Sequence, residues 1–328
     1  MSLPQEKVTP HAKPGRSNPF FIVLNVGSGK GDSNVAESTI RSVLEEAGQA
    51  HEFVLVDNAE ALPEAARRAV EQAKQRNGVV VVAGGDGTIN TVAQAALGSG
   101  RPFGVLPQGT FNYFGRTHGI PEDADESTRA LLDANVRPVQ VGMVNERIFL
   151  VNASLGLYPK LLEERETRKR RFGRSRLVAL WSALLTLLGQ HQSLIIELEH
   201  EQGSETIRTP ILFVGNNALQ LKQVGILEAS VVEDGLLTAI TMKPAGTAAM
   251  FALLVRGALG RLGESREVES FAFKRMTVRQ RRRHGSRRMK VAMDGEICWL
   301  RTPIEFRLAP HPLLLLAPAP SASTARAA

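Results

Sequence analysis

The sequence predicts an α/β domain built on a parallel sheet, followed by a β-rich domain with an antiparallel sandwich. Up to about residue 136, apolar runs alternate with amphipathic helical patterns, and this order is typical of a parallel sheet with helices on both faces. From about residue 137 the pattern changes to short alternating runs separated by turns, which is typical of an antiparallel sandwich or barrel. The length of 328 residues also agrees with two domains.

The first half contains the clearer elements. Runs rich in valine, leucine and phenylalanine predict strands at 20–26, 52–57, 79–83 and 102–107. Helical patterns lie among them, at 33–48, 60–76 and about 88–98. Ligands of parallel sheets bind at the carboxyl ends of the strands, so a site is expected in the loops that follow these strands.

The predicted domain boundaries follow from the change of pattern. The first domain is expected over 19–136 and the second over 137–310, with Pro138 as a candidate hinge. Two helical stretches interrupt the strands of the second domain, near 174–190 and 244–262. The ends of the chain, 1–18 and 317–328, are polar or low in complexity, and both are expected to be disordered.

Composition limits the function classes. A single cysteine, Cys298, excludes an internal disulfide framework and favours a reducing cytoplasm. No N-terminal apolar stretch resembles a signal peptide, and the apolar stretch at 177–189 is shorter than the roughly 20 residues of a membrane-spanning helix. The chain has 40 basic and 33 acidic residues, a net charge of +7, and this excess predicts anionic partners.

Two basic runs, at 165–176 and 279–290, concentrate the positive charge. Such runs are commonly solvated loops. The first run, however, leads directly into the apolar stretch that contains Trp181, a combination that favours the surface of an anionic membrane. Few aromatic residues lie within the runs, which disfavours stacking with nucleic acid. We therefore predict an anionic membrane surface as a partner, and no nucleic acid.

The most informative loop, Gly84–Thr88, follows the third predicted strand, and a helical pattern begins at Ile89. Its glycines would let backbone N–H groups approach a phosphate, and the helix N-terminus adds a positive partial charge. Asp86 would repel a phosphate unless a metal ion lay between them. The loop therefore predicts a site for magnesium and a nucleoside triphosphate. A simple helix cap is the alternative.

Two further loops carry glycine and polar residues after predicted strands, NVGSGKG at 25–31 and PQGTFN at 107–112. Both would lie at the carboxyl edge of the sheet, close to the Gly84–Thr88 loop. The convergence of three such loops is what a nucleotide site requires.

These loops and their order resemble the lipid kinase family that includes bacterial diacylglycerol kinases and the catalytic domains of diacylglycerol, ceramide and sphingosine kinases. The resemblance covers most of residues 20–310. Its further anchors are PQGTFNYFGRTHGIP at 107–121, VNASLG at 151–156, VGNN at 214–217, VVEDGLL at 231–237 and MDGE at 293–296. The fold that it implies is an NAD-kinase-like α/β domain followed by a β-rich domain, with segment 311–328 packed on the first domain.

The resemblance implies ATP as the phosphate donor and Mg²⁺ as its companion. Asp86 would organise the magnesium ion and the phosphates. The residues that it implies for ATP binding are Asn25, Gly27, Ser28, Gly29, Lys30, Gly31, Gly84, Gly85, Asp86, Gly87, Thr88, Asn90, Gly109, Thr110 and Asn112.

The DGE turn would supply the base that takes the proton from the lipid hydroxyl, and by position this base is Asp294 or Glu296. On the residues alone, Asp294 and the glycine after it are a hairpin turn. Members of the bacterial branch place a structural magnesium at the position of Asp234. Its partners here would be the backbone carbonyls of Val231 and Leu236.

The chain departs from the family pattern at two places. Tyr113 stands where an aspartate is common, so an acidic residue is missing or the tyrosine hydrogen-bonds in its place. The family's glycine-rich stretch after the VGN strand is replaced by NALQLKQVGILEAS at 217–230, near the expected acceptor. The second departure leaves the identity of the acceptor lipid open, and both departures leave the level of activity open.

The resemblance thus implies an ATP- and magnesium-dependent lipid kinase at the cytoplasmic face of the membrane, with diacylglycerol or a related lipid as acceptor. One alternative is an NAD kinase, because that family shares the glycine-aspartate loop and uses an Asn-Glu pair such as Asn145 and Glu146. This pair is predicted at a hairpin tip, which suits a turn. The other alternative is a catalytically weak regulator that binds nucleotide or membrane. The sequence also leaves a homodimer open.

Overall fold

The structure is a computed structural model, and it describes residues 13–15, 17–26, 32–157, 159, 193–201, 203–232, 234–280 and 288–319. The chain forms two compact units, one from Met1–Val139 with Pro310–Ala328 and the other from Gln140–Ala309. Several sequence predictions lie outside the described residues. These are the loop at 27–31, the basic run at 165–176, the helix near 174–190, most of the basic run at 279–290 and most of both predicted tails.

Strands and helices alternate in the first unit, as the sequence predicts. Their bounds in chain order are β1 Phe20–Asn25, α1 Asp32–Glu46, β2 His51–Val56, α2 Leu62–Gln75, β3 Val79–Gly84, α3 Asp86–Ala96, β4 Phe103–Pro107, α4 Tyr113–Thr117, α5 Ala124–Leu132, β5 Asn135–Val139 and β18 Leu313–Ala317. The predicted strands and helices of this half are confirmed, with small shifts at their ends.

The strands of the first unit form one sheet in the order β2-β1-β3-β4-β18-β5. Neighbouring strands from β2 to β18 are parallel, and β5 is antiparallel to β18. Leu44 of α1 and Leu131 of α5 pack on one face against Ile22 and Val81, while α2 and α3 contact each other and the strands β1 and β3. Both faces of β3 are buried, so its valine run needs no polar side. This arrangement brings the carboxyl ends of β1, β3 and β4 to one edge.

Strand β18 corrects the predicted role of Pro138. It lies between β4 and β5, with Leu315 opposite Phe103 on one side and Arg137 on the other. Pro138 lies within β5, opposite Leu314, so it is a strand residue and not a hinge. A proline is tolerated there because β5 is an edge strand, one side of which needs no N–H donor.

The second unit is dominated by antiparallel strands. Its bounds in chain order are β6 Gly142–Val144, β7 Arg147–Phe149, β8 Asn152–Gly156, β9 Leu194–His200, β10 Gly203–Thr209, β11 Ile211–Gly215, α6 Ala218–Gln223, a 3-10 helix Leu227–Val232, β12 Leu237–Met242, α7 Thr247–Ala258, a 3-10 helix Leu262–Glu264, β13 Val268–Phe273, β14 Arg275–Gln280, β15 Arg288–Met293, β16 Glu296–Arg301 and β17 Ile304–Leu308. Two sheets form, in the orders β10-β9-β14-β17-β6-β7 and β13-β12-β11-β8-β15-β16.

The two sheets of the second unit share one apolar core. Val278 and Phe306 from the first sheet and Leu155, Val214 and Val291 from the second belong to the same buried cluster. Alternate residues of each strand therefore face inward, and the predicted antiparallel sandwich is confirmed. Within the part of the chain that the structure describes, no helix combines the length and apolar character needed to cross a membrane.

Candidate functional site

The loop between β3 and α3 depends on its glycines. Gly84 ends β3, and Gly85 precedes the helix with an extended backbone (φ −81°, ψ 176°). A Cβ on Gly84 would lie 2.8 Å from the Cβ of Thr88, so a side chain there would force the loop to shift. Asp86 and Thr88 lie in the first turn of α3. Backbone N–H groups in a first turn lack helical acceptors and attract anions.

The loop after β4 packs directly against this glycine loop. The N–H of Gln108 donates to the carbonyl of Gly84 at 2.9 Å, and a Cβ on Gly109 would lie 3.0 Å from the Cα of Gly85. Asn112 has a left-handed backbone (φ 47°), and its buried amide closes the turn. Its Oδ1 accepts from the Gly109 N–H at 2.8 Å, and its Nδ2 donates to the Gly109 carbonyl at 2.9 Å. The two loops therefore form one backbone surface with few side chains.

The end of β1 joins the same edge of the sheet. Asn25 ends this strand, and its Nδ2 donates to Oγ1 of Thr88 at 3.1 Å. Asn90 follows on α3, and Thr110 lies within the loop after β4. The structure thus brings together the predicted ATP-binding residues of three loops. The remaining members of that prediction lie outside the described residues, namely Gly27, Ser28, Gly29, Lys30 and Gly31.

Two aromatic residues flank Asn112. The rings of Phe111 and Tyr113 are stacked, with centroids 5.9 Å apart and planes 9° from parallel. Phe111 is exposed. Tyr113 stands where the family that the sequence resembles commonly has aspartate. At this position the loop therefore carries an aromatic ring instead of a carboxylate.

His118 supports the same region, and sequence analysis gave it no role. It follows α4, and its ring meets the ring of Phe114 edge-on at 4.7 Å. Burial, and to a smaller extent the charge of Arg137, lowers the pKa of His118 from 6.5 to about 4. The imidazole is therefore neutral at pH 7 and packs as an aromatic ring against α4.

In the second unit, Asp294 lies in the turn between β15 and β16 and has a left-handed backbone (φ 47°). Its carboxylate accepts three backbone N–H groups: Oδ2 accepts from Leu150 at 2.7 Å, and Oδ1 accepts from Val151 at 2.9 Å and Asn152 at 3.0 Å. Its own N–H donates to the carbonyl of Asn152 at 2.9 Å. Both carboxylate oxygens therefore hold the segment that leads into β8.

Glu296, the other predicted base, has a different environment. It is the first residue of β16, its register partner is Met293, and it is exposed. An exposed carboxylate is open to an incoming hydroxyl, whereas the oxygens of Asp294 already accept backbone hydrogen bonds. The two candidates for the base thus differ in their exposure and in the hydrogen bonds that their carboxylates accept.

Side-chain amides hold the same segment, and sequence analysis missed them. Nε2 of Gln140 donates to Oδ1 of Asn216 at 2.8 Å, and Nδ2 of Asn216 donates to the carbonyl of Leu150 at 3.0 Å. Nδ2 of Asn152 donates to Oε1 of Gln220 at 3.0 Å. The VGNN motif was the signal that pointed to Asn216, but a motif does not reveal partners so distant in the chain.

The segment at 217–230, where the sequence departs from the family pattern, folds into a packed structure. Asn217 caps α6, because its Oδ1 accepts from the N–H of Gln220 at 2.9 Å. Leu221 and Ile226 are buried against the outer face of the second sheet. The residues that stand in place of the family's glycine-rich stretch therefore form a short helix.

Asp234, where the resemblance implies a magnesium site, lies in a backbone turn. The Val231 carbonyl accepts from the N–H groups of Asp234 at 3.1 Å and Leu236 at 3.2 Å, and the Leu236 carbonyl accepts from Nε2 of Gln140 at 3.0 Å. Among the described residues, no three His, Cys, Asp or Glu side chains are grouped to hold a metal. Magnesium here would have to compete with two backbone hydrogen bonds for the Val231 carbonyl, and this site stays a prediction.

Asn145 and Glu146 form the tip of the β6–β7 hairpin, which confirms the predicted turn. Asn145 has a left-handed backbone (φ 54°) and exchanges hydrogen bonds with Glu305: its N–H donates to the Glu305 carbonyl, and its Oδ1 accepts the Glu305 N–H, each at 2.8 Å. The side-chain oxygen is therefore engaged in holding the hairpin, which disfavours a nucleotide-binding role.

Comparison with known proteins gives a family match in the N-terminal part of the chain. Residues 19–144 match the model of the diacylglycerol kinase catalytic domain. The protein named probable lipid kinase YegS-like from Cronobacter sakazakii is 30% identical over 145 residues, which cover 43% of this chain and 46% of that protein. A protein of the same name from Pseudomonas aeruginosa is 43% identical over 99 residues, which cover 29% of this chain and 32% of that protein. The matches thus span less than half the length of these relatives.

A crystal structure of a diacylglycerol kinase from Bacillus anthracis is similar over a longer range. The likeness covers 93% of this chain and 97% of that chain, with a TM-score of 0.65 and 18% identity. At this identity the likeness establishes the fold alone. That fold is an α/β region with a parallel sheet and an antiparallel β-rich region.

Proposed function

We propose, on the premise that residues 19–144 belong to the diacylglycerol kinase catalytic domain family, that the chain is an ATP- and Mg²⁺-dependent lipid kinase. It transfers the γ-phosphate of ATP to a lipid hydroxyl, such as that of diacylglycerol or a related lipid. The observation that carries the proposal is the backbone surface where Gly109 packs against Gly85 beside the N-terminus of α3.

That surface fits a phosphate chain for physical reasons. Glycines leave backbone N–H groups accessible, and the first turn of α3 adds unsatisfied donors and a positive partial charge. Asp86 in that turn offers hard oxygen ligands of the kind that magnesium prefers. When bound, Mg²⁺ would neutralise charge on the transferred phosphoryl group. Thr88 and Asn112 are buried, so their contribution is to shape the two loops.

For the acceptor, the proposal assigns the two carboxylates of the DGE turn different roles. Glu296 is the base: it takes the proton of the lipid hydroxyl as the hydroxyl oxygen attacks the γ-phosphorus and the bond to ADP breaks. Asp294 is a positioning residue, because it holds the segment at Leu150–Asn152 through backbone N–H groups.

The proposal is tested with a panel of acceptors. Purified protein is incubated with γ-labelled ATP and diacylglycerol, ceramide or sphingosine in mixed micelles, with NAD as the non-lipid acceptor. We expect label in a lipid product with Mg²⁺ and none after chelation with EDTA. Asp86→Ala is expected to abolish transfer without unfolding the protein. Label in NAD alone would replace the proposal with an NAD kinase.

A catalytically weak regulator is the second candidate, and the aromatic pair of Phe111 and Tyr113 is the observation that favours it, because it removes a carboxylate from the loop. This candidate predicts that the protein binds ATP and labels no acceptor of the panel. Tyr113→Asp would then be expected to create transfer, whereas in an active kinase it should change the existing rate only modestly.

A further inference from the structure

The β15–β16 hairpin carries cationic and aromatic side chains on its outer side. Met289, Val291 and Leu300 of these strands pack in the sandwich core, so the alternate residues point away from it. In the register of the hairpin, Lys290 is opposite Trp299 and Arg288 is opposite Arg301. We call these four residues the hairpin face: Arg288, Lys290, Trp299 and Arg301.

Trp299 is the unusual member of the hairpin face. Its side chain is 57% exposed although tryptophan is a large apolar residue. The Nζ of Lys290 lies 5.1 Å from the centroid of its ring, which is cation–π distance. An exposed indole beside cationic side chains is typical of protein surfaces that lie in the headgroup layer of a membrane, where the ring has both apolar and polar neighbours.

Protection of a sheet edge is the simpler explanation for the charges. Strand β16 is at the end of its sheet, and charged residues on edge strands prevent pairing with other chains. This explanation accounts for Arg301 on β16, but not for Arg288 on the inner strand β15 or for an exposed Trp299. Three of the four residues of the hairpin face are cationic. A face of this charge is complementary to anionic headgroups.

We infer that the hairpin face binds the surface of a membrane rich in anionic lipid, with Trp299 in the headgroup layer and its cationic neighbours against lipid phosphates. The inference rests on the proposed function in taking a lipid as the acceptor, and it adds the surface by which the protein meets that lipid. Glu296, the proposed base, is the first residue of β16 and so belongs to the same hairpin. Docking through these strands therefore brings its carboxylate to the membrane. Nucleic acid is disfavoured because the face holds one aromatic ring.

Fluorescence tests the inference without any turnover. The chain has two tryptophans, so Trp181→Phe leaves Trp299 as the only one. Vesicles of phosphatidylcholine alone are compared with vesicles that also contain phosphatidylglycerol, each with and without brominated acyl chains. We expect a blue shift and bromine quenching with anionic vesicles only, both reversed by salt. Unchanged emission would overturn the inference, as would a shift with an oligonucleotide but none with vesicles.

Charge variants locate the surface. In the Trp181→Phe background, Arg288→Gln with Arg301→Gln is expected to weaken binding to anionic vesicles about 25-fold, or about fivefold per basic residue. Arg67→Gln with Arg68→Gln on α2 removes the same charge from another exposed surface and is the matched control. An equal loss of vesicle binding in the control variant would show that binding depends on net charge alone. It would reject the hairpin face as the binding surface.

A kinase assay separates this inference from the proposed function. Both double variants are assayed with a short-chain diacylglycerol dispersed in water, where no membrane is needed. We expect both to retain the wild-type rate and only the hairpin variant to lose activity on anionic vesicles. A hairpin variant that lost activity on the dispersed acceptor as well would place these arginines in catalysis or folding and contradict a docking role. A wild-type protein that is inactive on every acceptor but binds anionic vesicles through Trp299 would reject only the kinase.

Discussion

Asp294 and Glu296 are two positions apart, yet the structure uses their carboxylates in different ways. Three backbone N–H groups donate to Asp294, and each hydrogen bond to a charged group contributes roughly 1.5–3 kcal/mol to stability. Glu296 is exposed at the start of β16. One carboxylate therefore holds a loop, and the other is exposed to solvent.

This difference gives a prediction for two variants. Glu296→Gln should lower phosphate transfer by about 10²- to 10⁴-fold with an unchanged melting temperature, because it removes only the proposed base. Asp294→Asn should lower the free energy of unfolding by about 1–3 kcal/mol, since the amide turns a donor toward N–H groups that need an acceptor. Transfer assays and urea denaturation measure the two effects. Full activity in Glu296→Gln would remove its role as base.

His118 gives a prediction for pH. Its pKa is lowered in the folded protein, from 6.5 to about 4, so the unfolded chain binds more protons between these values. Stability contributed by the neutral ring is complete above about pH 6.5 and is lost as the pH falls toward 4. Wild type should therefore lose about 2 kcal/mol more than His118→Phe between pH 7 and pH 5. Parallel curves of unfolding free energy against pH would contradict this assignment.

The loops after β3 and β4 pack against each other as a pair. A Cβ on Gly109 would lie 3.0 Å from the Cα of Gly85 and 2.8 Å from Oδ1 of Asn112. Gly109→Ala should separate the loops and raise the KM for ATP roughly tenfold, which corresponds to about 1.4 kcal/mol. Gly246→Ala is the control, because that glycine has an ordinary φ of −68° and open space at its Cβ. Equal KM values for ATP in the two variants would show that the packing of these loops does not affect nucleotide binding.

The elements also show what the sequence could predict. The valine run of β3 and the glycines after it were sufficient to predict the strand, the loop and the helix, because local pattern and turn chemistry agree there. The contact of Gln140 with Asn216 joins side chains 76 positions apart in the chain, and no local pattern encodes such a pair. A proline at a domain boundary predicts a hinge, whereas the pairing of β5 with β18 provides an edge-strand position that accepts Pro138.

Strand β18, the last strand of the described chain, completes the first sheet. Three leucines of β18 are buried, Leu313, Leu315 and Leu316, and burial of a leucine contributes about 1.5–3 kcal/mol each. Their sum, about 5–9 kcal/mol, is comparable with the whole stability of a typical domain. The chain cut after residue 312 should therefore fail to fold its first unit, whereas the chain cut after 319 should melt like wild type. Circular dichroism and hydrogen exchange in β4 and β5 distinguish these outcomes.

The most direct test of the proposed lipid kinase activity follows the phosphate itself. Wild-type protein is incubated with Mg²⁺ and diacylglycerol in mixed micelles, in parallel with γ-labelled and α-labelled ATP, and the lipid is extracted. Glu296→Gln serves as the matched protein control. We predict that the γ-label enters the lipid in the wild type only and that the α-label stays in the nucleotide. Absence of γ-label from every lipid of the panel, in a protein that is folded and binds ATP, would contradict the assignment of this chain as a lipid kinase.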